Sequence, residues 1–398
     1  MNDFNFHVKP LGFLDMLYFK KMVPARQKAL SAGAPDQPTA VCGANRLAAR
    51  LHPASQQLTI SEVVEHGADA KTFVLTIEHP APFRAGQYLS FRLQIGSSVL
   101  TRPYSVSSSP KLAFEGKYAV TIKRQMDGFA SQWILDNWKA GDVVTASGPE
   151  GTFYYEPLRD AKHVIGLAGG CGITPFLSMA YAIRDGLEDF RLTLLYGSRK
   201  ECDILYYSEL AEIAKATDKV RIVHILSDER KEGYESGFIT AERIREAGGG
   251  EPYSVFLCGP AAMYAFVDKE LEKLKLEKKY IRHELYPAPA SPAGLAGYPG
   301  GTKERYALTV RCFGETRTVP MRADETVLVA LERAGIAVPS RCRGGECGCC
   351  RARLVSGEVF LPQLLDHRRM ADAAAGYIHP CCSYPLGDLA VEVWPEQS

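Results

Sequence analysis

At 398 residues the chain is too long for one ordinary hydrophobic core, and its length points to two to four domains. With 47 basic residues against 46 acidic ones, and a net charge of +1, bulk electrostatics select neither nucleic acid nor a strongly acidic partner. No apolar run approaches the roughly 18 residues that span a bilayer, the N-terminus lacks the residue order of a secretory signal, and eleven cysteines in a chain of this size are no disulfide scaffold. A protein of the reducing cytoplasm, without a transmembrane segment, is expected.

In chain order, residues 1–56 read as an N-terminal arm. Phe13, Leu14, Met16, Leu17, Tyr18 and Met22 stand among Lys20, Lys21, Arg26 and Lys28, the pattern of a short basic amphipathic helix that Pro24 interrupts. Such an arm packs on the next domain or docks a partner or a membrane surface. The small, polar run from Ser31 to Pro38 reads as a linker. Residues 57–157 show alternation at Phe73, Leu75 and Ile77, at Leu89, Phe91 and Leu93, and at Tyr118, Val120 and Ile122, with turn residues between. That pattern predicts a small antiparallel β-barrel.

From 158 to 286 the texture changes. Apolar strands at His163–Ala168, Arg191–Tyr196, Val220–Leu226, Tyr253–Cys258 and Lys279–Leu285 alternate with helical stretches, including Thr174–Arg184 and Ala261–Leu274. This predicts an α/β domain with a parallel sheet covered on both faces and ligands at the carboxyl ends of its strands. Residues 287–303, rich in proline and glycine, form a tether. In 304–398 a hairpin over Tyr306–Cys312 and Glu315–Val319, a helix over Thr326–Ala334 and a cysteine-rich loop make an α+β unit.

Three groups of residues carry chemistry. The first is Arg102-Pro103-Tyr104-Ser105, with Gly128-Phe129-Ala130-Ser131 and Gly148-Pro149-Glu150-Gly151-Thr152-Phe153. A guanidinium at Arg102 grips a pyrophosphate bidentately, Tyr104 offers a face to a flat ring, and Ser105 offers a hydrogen-bond donor. The second is Gly169-Gly170-Cys171-Gly172-Ile173-Thr174-Pro175, a strand-to-helix turn in which glycines admit a pyrophosphate, Thr174 caps the helix and Pro175 suits its first turn. Ser198, Arg199 and Lys200 end the second strand of the sheet, where basic side chains favour a 2′-phosphate and an acidic one favours a bare 2′-hydroxyl. The third is Cys342, Cys347 and Cys350 in a C-x4-C-x2-C array completed by Cys381, the plant-type spacing for a 2Fe-2S cluster. Structural zinc is the alternative for such a set, though its ligands usually come as two short cysteine pairs. Cys349 and Cys382 adjoin the array as substitutes with poorer spacing.

The flavin and glycine motifs in series resemble those of the ferredoxin-NADP reductase superfamily, and the domain order resembles phenylacetyl-CoA oxygenase reductase components with a C-terminal β-grasp ferredoxin domain. The resemblance covers about residues 57–398. It implies a flavin held by Arg102, Tyr104 and Ser105, with Gly128 and Ser131 at its pyrophosphate. One branch, resembling phthalate dioxygenase reductase, uses FMN, but the segment around Gly148 and Gly151 favours FAD. It also implies a nicotinamide dinucleotide on the glycine loop, NADPH by Arg199 with NADH as the alternative. Cys258, Gly259 and Pro260 match a C-G-P motif beside the nicotinamide, and Glu284 matches an acidic group near the flavin. The expected activity is hydride transfer to the flavin, aided by Ser105, Cys258 and Glu284, then passage of single electrons through the cluster to a separate oxygenase or hydroxylase. An anaerobic electron-transfer module and a redox sensor are the alternatives. No general acid–base pair is needed, so His224 and His379 read as packing or surface residues.

Overall fold

A computed structural model of the chain describes residues 23–25, 27–28, 31, 43–67, 69–126, 128–284, 288–312 and 314–394. The amphipathic helix expected around Phe13 and Lys20, and the linker beyond Ser31, lie outside these residues. The chain divides into two units, Met1–Ala49 and Arg50–Ser398. Helix Gly43–Leu51 buries none of its residues. All sheets belong to the second unit.

The alternating strands form an antiparallel sheet: β1 Gln56–His66, β2 Ala70–Thr76, β3 Tyr88–Ile95, β4 Ser98–Ser105, β5 Lys117–Lys123 and β6 Val143–Ala146. Its order is β4-β3-β6-β1-β2-β5, and a bridge from Val106 to Val120 brings the two edges together, so it curls into a barrel. Leu58, Ile60, Phe73, Leu75 and Phe91 point inward and are fully buried; each such side chain contributes roughly 1.5–3 kcal/mol. Helix Phe129–Asn137, which the alternation gave no reason to expect, covers one end with Ala130, Ile134 and Leu135. Trp138 follows it and packs on Phe73 and Phe91, with ring centroids 5.3 Å away in each case.

The second sheet is wholly parallel: β7 His163–Gly169, β8 Arg191–Ser198, β9 Val220–Leu226, β10 Glu235–Ser236, β11 Ser254–Cys258 and β12 Ile281–His283, in the order β10-β9-β8-β7-β11-β12. Every residue of β7 and β11 is buried, as strands covered on both faces must be. Two details differ from expectation. The last strand is shorter, because Lys278–Tyr280 take a 3-10 turn, and a two-residue edge strand, β10, is added.

The third sheet comprises β13 Arg305–Cys312, β14 Glu315–Arg322, β15 Ala352–Ser356, β17 Tyr377–Ile378 and β19 Leu389–Glu392, with β16 Val359–Phe360 and β18 Tyr384–Pro385 paired beside it. β13 and β14 are the expected hairpin, while β13 pairs in parallel with β19. Helix Val327–Arg333 crosses this sheet, started by Thr326, whose hydroxyl accepts from the amide of Val329 at 3.4 Å. The arrangement is a β-grasp.

Specific contacts join the three sheets. Tyr206, at φ 61°, places its hydroxyl 2.6 Å from Thr72 and against Thr121 in the barrel. Thr101 of β4 donates to the carbonyl of Ser340 at 2.9 Å, and Arg341 pairs with Glu150. These contacts bring the cysteine loop to the end of β4 that carries Arg102 and Tyr104.

Candidate functional site

A cleft of about 1640 Å³ opens where the three sheets meet. From the barrel it is lined by Arg102, Tyr104, Ser105, Gly128 and Ser131. β4 positions the first three, and pairing with β3 fixes the strand, with Leu89 opposite Tyr104 and Phe91 opposite Arg102. The Arg102 guanidinium donates to the carbonyl of Thr101 at 2.7 Å and lies 3.9 Å from a carboxylate oxygen of Glu332. Burial, and then the neighbouring charge of Arg343, bring its pKa down to about 10, which leaves it charged at neutral pH. Burial also pushes the Tyr104 hydroxyl up, so the ring stays neutral and presents an aromatic face. Ser131 turns its Oγ back on the chain, accepting from the amide of Gln125 at 3.2 Å, within the first turn of the helix that Gly128 begins. Helix amides at such an end suit a phosphate oxygen.

From the parallel sheet the cleft is lined by Gly169, Gly170, Gly172 and Thr174 after β7, by Ser198 and Arg199 after β8, and by Cys258, Gly259 and Pro260 after β11. Gly170–Ile173 make one 3-10 turn before helix Thr174–Arg184. Thr174 does not act as the cap expected of it. It is the first helical residue, and its hydroxyl donates to the carbonyl of Cys171 at 3.1 Å, because the 3-10 turn already occupies the place of a cap. Burial, and then the charge of Glu284, hold the Cys258 thiol well above its usual range, so it is a neutral group that shapes the floor. Glu284 is itself buried at the cleft, its amide donating to the carbonyl of Leu257 at 2.9 Å.

From the third sheet come Cys342, Arg343 and Cys381. The thiols form one connected group: Cys342 adjoins Cys347 and Cys381, Cys350 and Cys382 adjoin Cys381, and Cys349 adjoins Cys347. Cys342, Cys350 and Cys381 are buried and Cys347 is exposed. Backbone amides turn toward sulfur, from Gly344 and Cys347 to Cys342 at 3.4 Å each and from Cys349 to Cys347 at 3.5 Å. Gly345, at φ 81°, leaves no room for a Cβ, which would stand 2.3 Å from the carbonyl of Leu365. Cys382 adjoins the thiol of Cys381 and also donates to the carbonyls of His379 at 3.4 Å and Leu365 at 3.6 Å.

Comparison with known proteins gives the same three parts in the same order. Residues 57–155 match the oxidoreductase FAD-binding domain, 167–269 the oxidoreductase NAD-binding domain, and 310–386 the 2Fe-2S iron-sulfur cluster binding domain. The ferredoxin reductase component of 3-ketosteroid-9-alpha-monooxygenase from Mycolicibacterium smegmatis is 30% identical over 353 residues, covering 85% of this chain and 96% of that one. The chain belongs to this family of flavin and iron-sulfur reductases. The glycine betaine monooxygenase reductase of Pseudomonas aeruginosa is 28% identical over 354 residues, covering 83% of this reductase and 93% of its own length. Among solved structures, phthalate dioxygenase reductase superposes with a TM-score of 0.61 at 26% identity, covering 85% of this reductase and 98% of that chain.

The reductase thus has FAD-binding, nicotinamide-dinucleotide-binding and 2Fe-2S domains, and it passes electrons from NAD(P)H through flavin to the cluster. Among the described residues no helix is long and apolar enough to cross a membrane. Of the residues singled out for the flavin and the dinucleotide, Gly148, Gly151, Pro175 and Lys200 are among those outside the cleft lining. Gly148 packs against Pro53 and Gly151 against the ring of Tyr88. Cys347 and Cys350 are likewise outside the lining. Sequence reasoning missed Arg343, Glu332 and Asp203. Asp203 lines the cleft in a 3-10 turn after β8, where its carboxylate accepts from the amide of Lys200 at 3.2 Å; an acidic residue four positions beyond Arg199 was the available signal.

Proposed function

We propose that this reductase delivers electrons singly to a separate oxygenase or hydroxylase component, taking them as hydride from a nicotinamide dinucleotide. The observation that supports this reading is the one cleft shared by the barrel motif, the glycine turn and two cysteines of the array. In it Arg102 and the helix end at Gly128 and Ser131 grip the pyrophosphate of FAD, Tyr104 lies against the ring, and Ser105 donates toward the ring nitrogen that receives hydride. Gly169, Gly170 and Gly172 admit the dinucleotide's phosphates, while Cys258 and Pro260 set where its reactive carbon stops. Cys342, Cys347, Cys350 and Cys381 hold the cluster. When bound, the flavin accepts a pair of electrons and the cluster one at a time, so the protein's share is orientation and potential. The relatives named above are the reductase parts of two monooxygenases, which supports an oxygenase as acceptor. Purified protein should reduce cytochrome c or ferricyanide rapidly with NADH or NADPH, and its own oxygenase partner faster than either. Colourless protein, or protein carrying zinc and no flavin, would sink the reading.

For the dinucleotide, the geometry supports NADH over the NADPH that Arg199 and Lys200 suggest in the sequence. Arg199 is already paired with Asp228 at 3.0 Å, and Asp203 supplies a carboxylate at the strand end, which suits a bare 2′-hydroxyl. A 2′-phosphate at Arg199 would lie near the carboxylates of Asp228 and Asp203. The expected result is a kcat/KM for NADH about tenfold above that for NADPH, and in Arg199→Glu a further rise in the KM for NADPH with little change for NADH. A wild-type preference for NADPH would restore the phosphate role of Arg199.

Tyr104→Ala should weaken flavin retention about tenfold, read as the ratio of flavin to protein after gel filtration. Full occupancy would remove the ring-stacking assignment.

A further inference from the structure

One side chain of the cysteine loop stands close to Arg102 of the barrel. Arg343 follows Cys342 directly, takes φ 57°, and lines the cleft with Arg102. Between the two guanidiniums stands the carboxylate of Glu332, from the end of helix Val327–Arg333, with 7% of its side chain exposed. Its two oxygens are divided: Oε1 accepts from Arg343 at 2.5 Å, and Oε2 faces Arg102 at 3.9 Å, beyond hydrogen-bond reach. Two fixed positive charges share this one carboxylate. The carbonyl of Arg343 is met by the amide of Ala288 at 3.4 Å, so the tether leading into the third sheet also holds this residue in place.

From this division of the carboxylate we infer that Arg343 is a positioning residue for flavin binding: by occupying Glu332 it keeps Arg102 free to grip the flavin phosphate, and so couples flavin retention to the order of the cysteine loop. Without Arg343 the buried carboxylate has only Arg102 to satisfy it, and the bidentate face that a phosphate needs is taken by an internal ion pair. The proposal rests on the reading of Arg102 as the phosphate grip.

The test is the dissociation constant of FAD for deflavinated full-length protein, followed by quenching of flavin fluorescence. Arg343→Asn is the informative variant, since asparagine tolerates positive φ and carries no charge. It should weaken FAD binding about tenfold, and Arg343→Asn with Glu332→Gln should return to within about twofold of wild type, because no carboxylate is left to capture Arg102. Glu332→Gln alone should bind FAD at least as tightly as wild type, and this arm stands whether or not Arg343→Asn retains its cluster. An unchanged constant in Arg343→Asn, no rescue in the double variant, or weaker binding in Glu332→Gln would each overturn the inference. Arg102→Ala separates the two levels: if it leaves FAD binding unchanged, the phosphate reading itself is wrong; if it weakens binding while the other variants behave as wild type, only the role of Arg343 fails.

Discussion

Cys347→Ser should abolish the visible absorbance and the electron paramagnetic signal of the cluster, and lower cytochrome c reduction by at least about a hundredfold, while reduction of the flavin by NADH stays within about threefold of wild type. The split follows from position. Cys347 sits beside Cys342 but outside the cleft lining, so its loss would take one of the four proposed ligands and leave the barrel and glycine turn untouched. Serine is a hard oxygen donor and a poor substitute where iron takes thiolate. Cys382→Ser is the matched control: its thiol is fully buried beside Cys381 and donates to the carbonyls of His379 and Leu365, contacts that a serine hydroxyl can keep, so the cluster should persist. Loss of flavin reduction along with the cluster in Cys347→Ser would contradict a relay of separable parts. Retention of the cluster in Cys347→Ser with its loss in Cys382→Ser would reassign the ligands.

The fold was legible where periodicity is strong. Alternation at Phe73, Leu75 and Ile77 marks a strand with one buried face, and the continuous apolar run from His163 marks one buried on both, so barrel and parallel sheet follow from residue spacing alone. Helix Phe129–Asn137 escaped because it is short, starts at a glycine without a side-chain cap, and places Trp133 and Asp136 among its apolar residues. For the site, spacing locates groups that are near in sequence, such as the cysteine array or the turn after β7. It says nothing of groups that meet only through tertiary structure. Glu332 and Arg102 are 230 positions apart, and nothing local to either marks a shared carboxylate. The pairing of Arg199 with Asp228 is likewise a meeting of two strand ends that nothing local to Arg199 marks. Gly148 and Gly151 stand outside the cleft lining and pack against Pro53 and Tyr88, contacts that nothing local in the sequence marks.

Gly172→Ala should lower kcat/KM for NADH by about a hundredfold, with flavin and cluster content unchanged. Gly172 lies in the 3-10 turn at the end of β7, where a Cβ would stand 2.2 Å from the carbonyl oxygen of Cys258 and 2.8 Å from the amide of Gly259. Both obstacles are backbone atoms of the adjoining strand end, so no rotamer relieves the overlap and one of the two segments must move. The segments that would part are the ones proposed to hold the phosphates and to stop the nicotinamide, and a displacement of about 1 Å at a reacting centre costs on the order of a hundredfold. Overpacking of this kind also removes about 1–3 kcal/mol of stability, readable as a lower Tm. Gly170→Ala isolates the steric cause. Its Cβ meets nothing within 4 Å, and its only penalty is φ 53°, about 1–2 kcal/mol. Its kcat/KM should fall by less than about tenfold. Equal losses in the two variants would mean that backbone freedom in the turn, rather than the close approach to Cys258, is what this loop needs its glycines for.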